Sequence, residues 1–496
     1  MGTTVLKSKS GAAVAELSLR EFLGSLEKNY PNEMIRVSQP VDPAKFEVTA
    51  VLKHLEDLGK FPLVWFEKTK GMRGDDLSFP LLSNVYACRE RCALAMGLKR
   101  EQSGMELSLE YARRLESPLP PVRMEPSQAP VKEVVTRGEE CDLRDFPIVR
   151  HHEMDSGPYI DMTPVMKHPK EGFYNIAFLR TMYKGPRKLG IHMSPRHNWQ
   201  IFRQYESQNR PTPVAIVVSH HPAFYLGALN VEAFGKDDYA VIGGITGQPL
   251  RLVASETWGE EILVPADAEM IVEGEILPNE REVEAPFGEF TGYYGPQRVR
   301  PVIRVTAITH RRQAILQHAF VGHRDNWILG GIPKEGAVFN TIKGIVPTVK
   351  AVHLPLSGSG RFNCYISIDK KVPGETKQAA LAAFGQVDFI KNIIVVDADI
   401  DPFNEQEVMF AVATRTQARE AVDIIKNVKG NTLDPSQSDD MLTDKLLIDA
   451  TMPVNRPFAA RVRVPAQALQ KFRLENYVDS KRLDALPTFL DSRRSV

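Results

Sequence analysis

Apolar residues recur at i, i+3, i+4 and i+7 near the start of the chain, at Leu19, Phe22, Leu23 and Leu26. Ser18 and Glu21 frame this run with the spacing of a capping box, so a first helix is predicted to open there. The apolar runs 34–41, 62–66 and 79–85 lack that period and predict strands, alternating with helical patterns over 44–58 and 105–115. Residues 1–117 therefore read as a small α/β domain. Prolines 118, 120, 121, 126 and 130 then fall within a short stretch. Proline lacks the N–H that a helix or a central strand needs, so 118–130 is predicted to be a linker.

From 131 to 325 the apolar runs shorten. Segments such as 214–219, 270–276 and 302–308, broken by Gly and Pro, predict a barrel-like β domain with a few helices. Beyond Gly330 the patterns alternate again, with helices predicted over 336–345, 377–384 and 405–413 and strands over 364–368 and 393–396. That alternation makes 326–496 a second α/β domain. Its tail from Gly430 reads as loop-rich, with one helical piece over 466–472.

Composition narrows the class. The 62 Lys+Arg balance 62 Asp+Glu among 496 residues, which excludes a nucleic-acid binder relying on an overall basic surface. At roughly 100–200 residues per domain the chain is long enough for two to four cores without disulfide staples. No run approaches the roughly 20 apolar residues of a membrane span, and Met1–Gly11 lacks the apolar core of a signal peptide. A soluble, cytoplasmic protein is expected. Cys88, Cys92, Cys141 and Cys364 are too sparse for a disulfide framework. Cys88 and Cys92 stand four apart but have no second pair to complete a zinc site, so buried thiols are expected.

The motifs of nucleotide hydrolases, Rossmann dehydrogenases, zincins and serine hydrolases are absent. Gly243, Gly244 and Gly247 suit a tight β turn better than a phosphate cradle. In Glu284–Tyr294 two carboxylates bracket a Pro/Gly turn among aromatic residues, and a glutamate in apolar surroundings has its acid form favoured, as proton transfer near neutral pH requires. Exposed turn glutamates are the alternative. Asn175 and Arg180, five apart, point to opposite faces of a strand unless a bend intervenes. The guanidinium fork of Arg180 matches a carboxylate, and Asn175 suits a metal or phosphate. His197 opens an apparent helix nearby, whereas adjacent side chains diverge in His151-His152 and His220-His221. Asp397, Asp399 and Asp401 read as a solvated turn rather than a hard-cation cluster.

Taken together, EAPFGEFTGYY (284–294), NIAFLR (175–180), PRHNWQIF (195–202), IVEGEI (271–276), VATR (412–415) and KLLID (445–449) resemble the UbiD-like decarboxylases, which use prenylated flavin mononucleotide (FMN). The resemblance implies an α/β fold with a central split β-barrel for the flavin and a carboxy-terminal domain through which a homo-oligomer assembles. It implies reversible decarboxylation of an aromatic, heteroaromatic or α,β-unsaturated acid. Arg180, Glu284 and Glu289 match the catalytic network, Glu289 as proton donor and Glu284 as the partner that orients Arg180. Asn175, His197 and Asp238 match the ligands of a manganese ion, and potassium is expected beside it. Asp238 stands where the family has a longer glutamate, with Asp237 as the alternative. The stretch Asn175, Ile176, Ala177, Phe178, Leu179 and Arg180, with Arg196, His197, Asp238 and Lys445, would contact the cofactor, Lys445 through its phosphate. Asn326 and Trp327 are candidate substrate-pocket residues. A flavin prenyltransferase would supply the cofactor. A non-catalytic assembly subunit, and a flavin or metal enzyme acting on aromatic acids by other chemistry, stand as alternatives.

Overall fold

The computed structural model of the chain describes residues 14–437 and 441–486. Met1–Gly11, read above for a signal peptide, and parts of the tail lie outside them. The first helix is Leu19–Asn29, and Ser18 Oγ accepts from the Glu21 amide at 3.3 Å. Its neighbours are a four-stranded sheet ordered Met34–Val37, Leu63–Phe66, Leu81–Ser83 and Leu316–Gln317. That last strand arrives from far downstream, so the central part of the chain completes the first sheet. The helix Met105–Leu115 matches its predicted span.

The proline-rich segment forms no long element, but Val122–Arg123 pairs in parallel with Arg251–Leu252. The glycines at 243, 244 and 247 form no β turn. They belong to a helix, Asp238–Thr246, that stops at Gly247 in the left-handed region at φ 78°. Valine, isoleucine and glycine are weak helix formers, so tertiary packing overrides local preference here. A Cβ at Gly243 would lie 2.5 Å from the Leu119 carbonyl oxygen, and one at Gly244 2.6 Å from that of Ser117. The two glycines let the helix press directly onto the proline-rich segment.

The centre is a closed barrel of six antiparallel strands. Tyr159–Lys167 pairs with Leu179–Gly185, which pairs with Lys188–Ile191 and then Arg298–His310. Met270–Glu284 follows, then Thr212–Ser219, which returns to Tyr159–Lys167 and closes the circle. Closure removes the exposed edges that an open sheet would carry. Met270–Glu284 has 15 residues and Arg298–His310 has 13, and the register between them shifts at Glu273/Gly274.

A five-stranded sheet follows, ordered Val349–His353, Asn363–Ile368, Asn392–Asp397, Leu442–Ala450 and Val422–Lys429. The long helix Arg324–Lys343 joins it to the barrel and contains Pro333. It begins at Arg324, before the predicted 336, and takes in Gly330, Gly331 and Pro333, poor helix formers that are buried here and held by packing. The tail reading also needs correction, since Leu442–Ala450 is an internal strand. A helix does occupy Ala466–Lys471. Of the three aspartates expected in a solvated turn, Asp401 is exposed, but Asp397 and Asp399 both pair with Arg415, at 2.5 and 2.8 Å. Among the described residues no helix is long and apolar enough to cross a membrane.

Gly243→Ala is expected to destabilise the protein by about 1–3 kcal/mol in urea denaturation, because its methyl group has nowhere to go. Gly24→Ala is the control. Its Cβ would meet nothing within 4 Å, so removing a helical glycine there is expected to stabilise by up to about 1 kcal/mol.

Candidate active site

The bend that lets Asn175 and Arg180 face one space is a break between strands. Tyr174–Ile176 ends, Ala177 and Phe178 lie between, and Leu179–Gly185 resumes the pairing with Tyr159–Lys167 in the same register. Glu284 ends the longest strand of the barrel and is fully buried. The chain then turns through a cis Ala285-Pro286 bond and brings Glu289 back. Arg180 Nε donates to Glu284 Oε1 at 2.7 Å and Arg180 Nη2 to Oε2 at 2.9 Å. Nη1, on the other side of the guanidinium, contacts Glu289 Oε1. One arginine thus joins two carboxylates that are five residues apart.

His192 supports the pair, with Nδ1 3.1 Å from Arg180 Nη2. Burial pushes its pKa down to about 4, so the ring is neutral at pH 7 and Nδ1 accepts from the guanidinium. Burial alone favours the acid form of Glu284, but the two hydrogen bonds and the charge of Arg180 oppose it and keep the carboxyl below its usual range. The phenyl ring of Phe287 lies 5.1 Å from the Arg180 guanidinium carbon.

Arg180 and Glu289 line a cavity of about 820 Å³ between the barrel and the last domain. That is at the large end for a small-molecule site. Asn175, Ile176, Ala177, Phe178, Leu179, Arg196, His197, Asp238 and Asn326 share the wall, while Glu284 stands behind Arg180. His197 is the first residue of the helix His197–Glu206, and its Nδ1 is 3.2 Å from Asn175 Oδ1. Asp238 Oδ2 accepts from the Ile176 amide at 2.6 Å and Oδ1 from Asn230 at 2.9 Å. Burial raises its pKa to about 7, as expected of a carboxylate with no cation beside it. A metal ion at this end would supply the missing charge, and an amide oxygen, an imidazole and a carboxylate suit Mn²⁺. Asp237 instead caps its helix and accepts from the Tyr174 amide at 3.0 Å.

Two candidates stand apart from the wall. Trp327 donates its indole N–H to the Phe290 carbonyl at 2.6 Å, which makes it a strut under the turn that carries Glu289. Lys445 is buried behind the cavity, with Nζ 3.3 Å from the Asp388 carbonyl, and burial lowers its pKa to about 8. His220 stacks on Phe224, and His221 caps the helix Pro222–Ala228. Sequence reasoning missed His192, Asp161, Glu232, Lys334 and Arg361, all of which line the cavity. Their spacing along the chain carries no motif; only the folding of distant strands and helices brings them together.

Three family models match the chain in succession. They are the amino-terminal domain of 3-octaprenyl-4-hydroxybenzoate carboxy-lyase over 26–110, its Rift-related domain over 122–324 and its carboxy-terminal domain over 328–450. The chain belongs to the UbiD family of carboxy-lyases. Among relatives, a phenolic acid decarboxylase of Sedimentibacter hydroxybenzoicus is 30% identical over 450 residues, covering 88% of this chain and 92% of that protein. The anhydromevalonate phosphate decarboxylase of Methanosarcina mazei is 31% identical, covering 88% and 96%. The UbiD-class enzyme HmfF of Pelotomaculum thermopropionicum, solved with FMN, superposes with a TM-score of 0.83 at 40% identity, covering 93% of this chain and all of HmfF. The UbiD resemblance, the fold and the enzyme class expected from the sequence all hold.

Replacing Arg180 by Met leaves Glu284 buried without its cation. That change is expected to lower stability by about 3–5 kcal/mol in chemical denaturation. Arg180→Lys, which keeps the charge but not the two-toothed geometry, is expected to lose less.

Proposed function

We propose that the chain decarboxylates an aromatic, heteroaromatic or α,β-unsaturated carboxylic acid with prenylated FMN, and that the reaction runs backwards at high carbon dioxide. The observation that carries this reading is one buried arginine shared between two carboxylates at the wall of a large cavity. An evolved dimeric form of HmfF, 38% identical and with a TM-score of 0.82, has been solved with prenylated FMN, which supports the cofactor. When bound, the prenylated flavin supplies the electron sink that lets carbon dioxide leave an sp² carbon.

The chain's own residues hold the acid and move one proton. Glu284 occupies Nε and Nη2 of Arg180, so Nη1 is left for the substrate carboxylate. Glu289 already contacts Nη1, and an arriving carboxylate competes with it. Losing its share of the cation favours the acid form of Glu289, in a wall that also holds Phe287 and Phe290. Glu289 thereby becomes a proton donor when substrate is present. As carbon dioxide leaves, its proton passes to the carbon that carried the carboxylate. Asn175, His197 and Asp238 would hold Mn²⁺, which with K⁺ would neutralise the charge of the flavin phosphate. Ile176, Ala177, Phe178, Leu179 and Arg196 flank the cofactor, and Lys445 adds positive charge from behind. Asn326 faces the substrate.

The unit of function is a homo-oligomer assembled through the last domain, in the cytoplasm, with a flavin prenyltransferase as cofactor supplier. The divisions 1–117, 118–130, 131–325 and 326–496 remain our domain assignment.

Glu289→Gln is expected to abolish carbon dioxide release from a panel of aryl acids while the flavin stays bound, as read by mass spectrometry of the denatured protein. Full turnover by that variant would remove Glu289 from the chemistry. For the metal site, His197→Ala is expected to empty the protein of manganese by elemental analysis; unchanged metal content would defeat that ligand.

A further inference from the structure

Asp161 is directly opposite Arg180 in the barrel, on the neighbouring strand Tyr159–Lys167. Residues paired in this way put their side chains on one face of the sheet, with Cβ atoms about 5 Å apart. Both line the cavity, so the barrel presents Arg180 with a third carboxyl besides Glu284 and Glu289. Those two are engaged by the guanidinium. The Asp161 carboxyl accepts no hydrogen bond and forms no ion pair among the described residues.

Three charged groups act on Asp161 through space. They are Arg180 on the next strand, Arg361 from the last domain and Asp155 from the loop before its own strand. The guanidinium of Arg361 is fixed there because it fills the notch left by the missing side chain of Gly330. Burial pushes the pKa of Asp161 up to about 7; the two arginines oppose that shift and Asp155 adds to it. Asp161 therefore gains and loses a proton near neutral pH, whereas Glu284 stays ionised behind Arg180.

The proposed reaction consumes one proton in each cycle, since a carboxylate and a proton become a C–H bond and carbon dioxide. The bond to the carboxylate carbon breaks, and the electron pair left on the substrate carbon takes the proton of Glu289. Glu289 is then a carboxylate that needs a proton back before the next cycle. Its contact with Arg180 opposes that return, because a cation beside a carboxylate favours the charged form. A second acid beside the same guanidinium, with no bond of its own to give up, is placed to supply it.

We infer that Asp161 is the proton-supplying residue of the site: it takes a proton from solvent and passes it across the cavity, beside Arg180, to Glu289. This rests on the function proposed above. Asp161 acts through Glu289 and does not touch the reacting carbon.

The test uses protein co-produced with a flavin prenyltransferase and the panel of aryl acids. Asp161→Asn is expected to lower kcat about tenfold or more with little change in KM, the scale of one impaired proton transfer. Asp161→Glu is expected to recover most of the rate. Because Asp161 supplies a proton only while protonated, the unaltered protein is expected to lose its advantage above about pH 7 and to converge on Asp161→Asn. A merely structural defect would hold the variant lower by the same factor at every pH. Infrared titration without substrate is expected to show a carboxyl band that titrates near pH 7, survives in Glu289→Gln and is lost in Asp161→Asn. Should Asp161→Asn fail to fold, Asp161→Ser takes its place. Unchanged kcat in the folded variant, a rate gap that does not vary with pH, or a titrating band that persists in full overturns the inference. Those outcomes leave the proposed reaction standing, whereas an unaltered protein that releases no carbon dioxide sinks the reaction and the relay with it.

Discussion

Everything at the candidate site depends on the buried pair of Arg180 and Glu284. An unpaired guanidinium or carboxylate at that depth would be strongly destabilising, so each holds the other in place. The bidentate contact consumes two nitrogens of the fork and leaves the third aimed at Glu289 and the cavity. Neutral His192 closes the far side. The barrel is what brings the pair together: Arg180 begins one strand and Glu284 ends another, and closure of six strands places both at the same rim.

The cavity divides into regions of different electrostatic demand. At one end Asp238 is a buried carboxylate lacking a cation. At another Lys334 and Arg361 are buried and form no ion pair among the described residues. Arg180 and Glu289 stand as a matched pair that an incoming acid can divide. The oxygens of Asp238 accept from the Ile176 amide and from Asn230. Those bonds hold the carboxylate at the wall.

The last domain contributes more than a lid. Its long helix brings Asn326 and Lys334 to the wall, and Trp327 on the same helix braces the Phe290 carbonyl and so the turn that carries Glu289. The turn that carries Glu289 and this part of the cavity wall are thereby tied to one helix.

The sequence by itself determined the order of elements, because hydrophobic period survives burial: Met105–Leu115 and Leu19–Asn29 are legible from spacing and a cap alone. It also determined the identity of Arg180, Glu284, Glu289, Asn175 and His197 as candidates, since these lie in short contiguous runs with recognisable order. Tertiary structure decided where local preference was misleading. The glycines at 243 and 244 read as a turn yet pack a helix against the chain, and the helix predicted from 336 starts twelve residues earlier, through the buried Gly330, Gly331 and Pro333. It also decided what has no linear signature. His192 reaches Arg180 through adjacent barrel strands, and Arg361 reaches the Gly330 notch from a loop 31 residues downstream. Such meetings depend on side chains converging in space, and no periodicity along the chain encodes them.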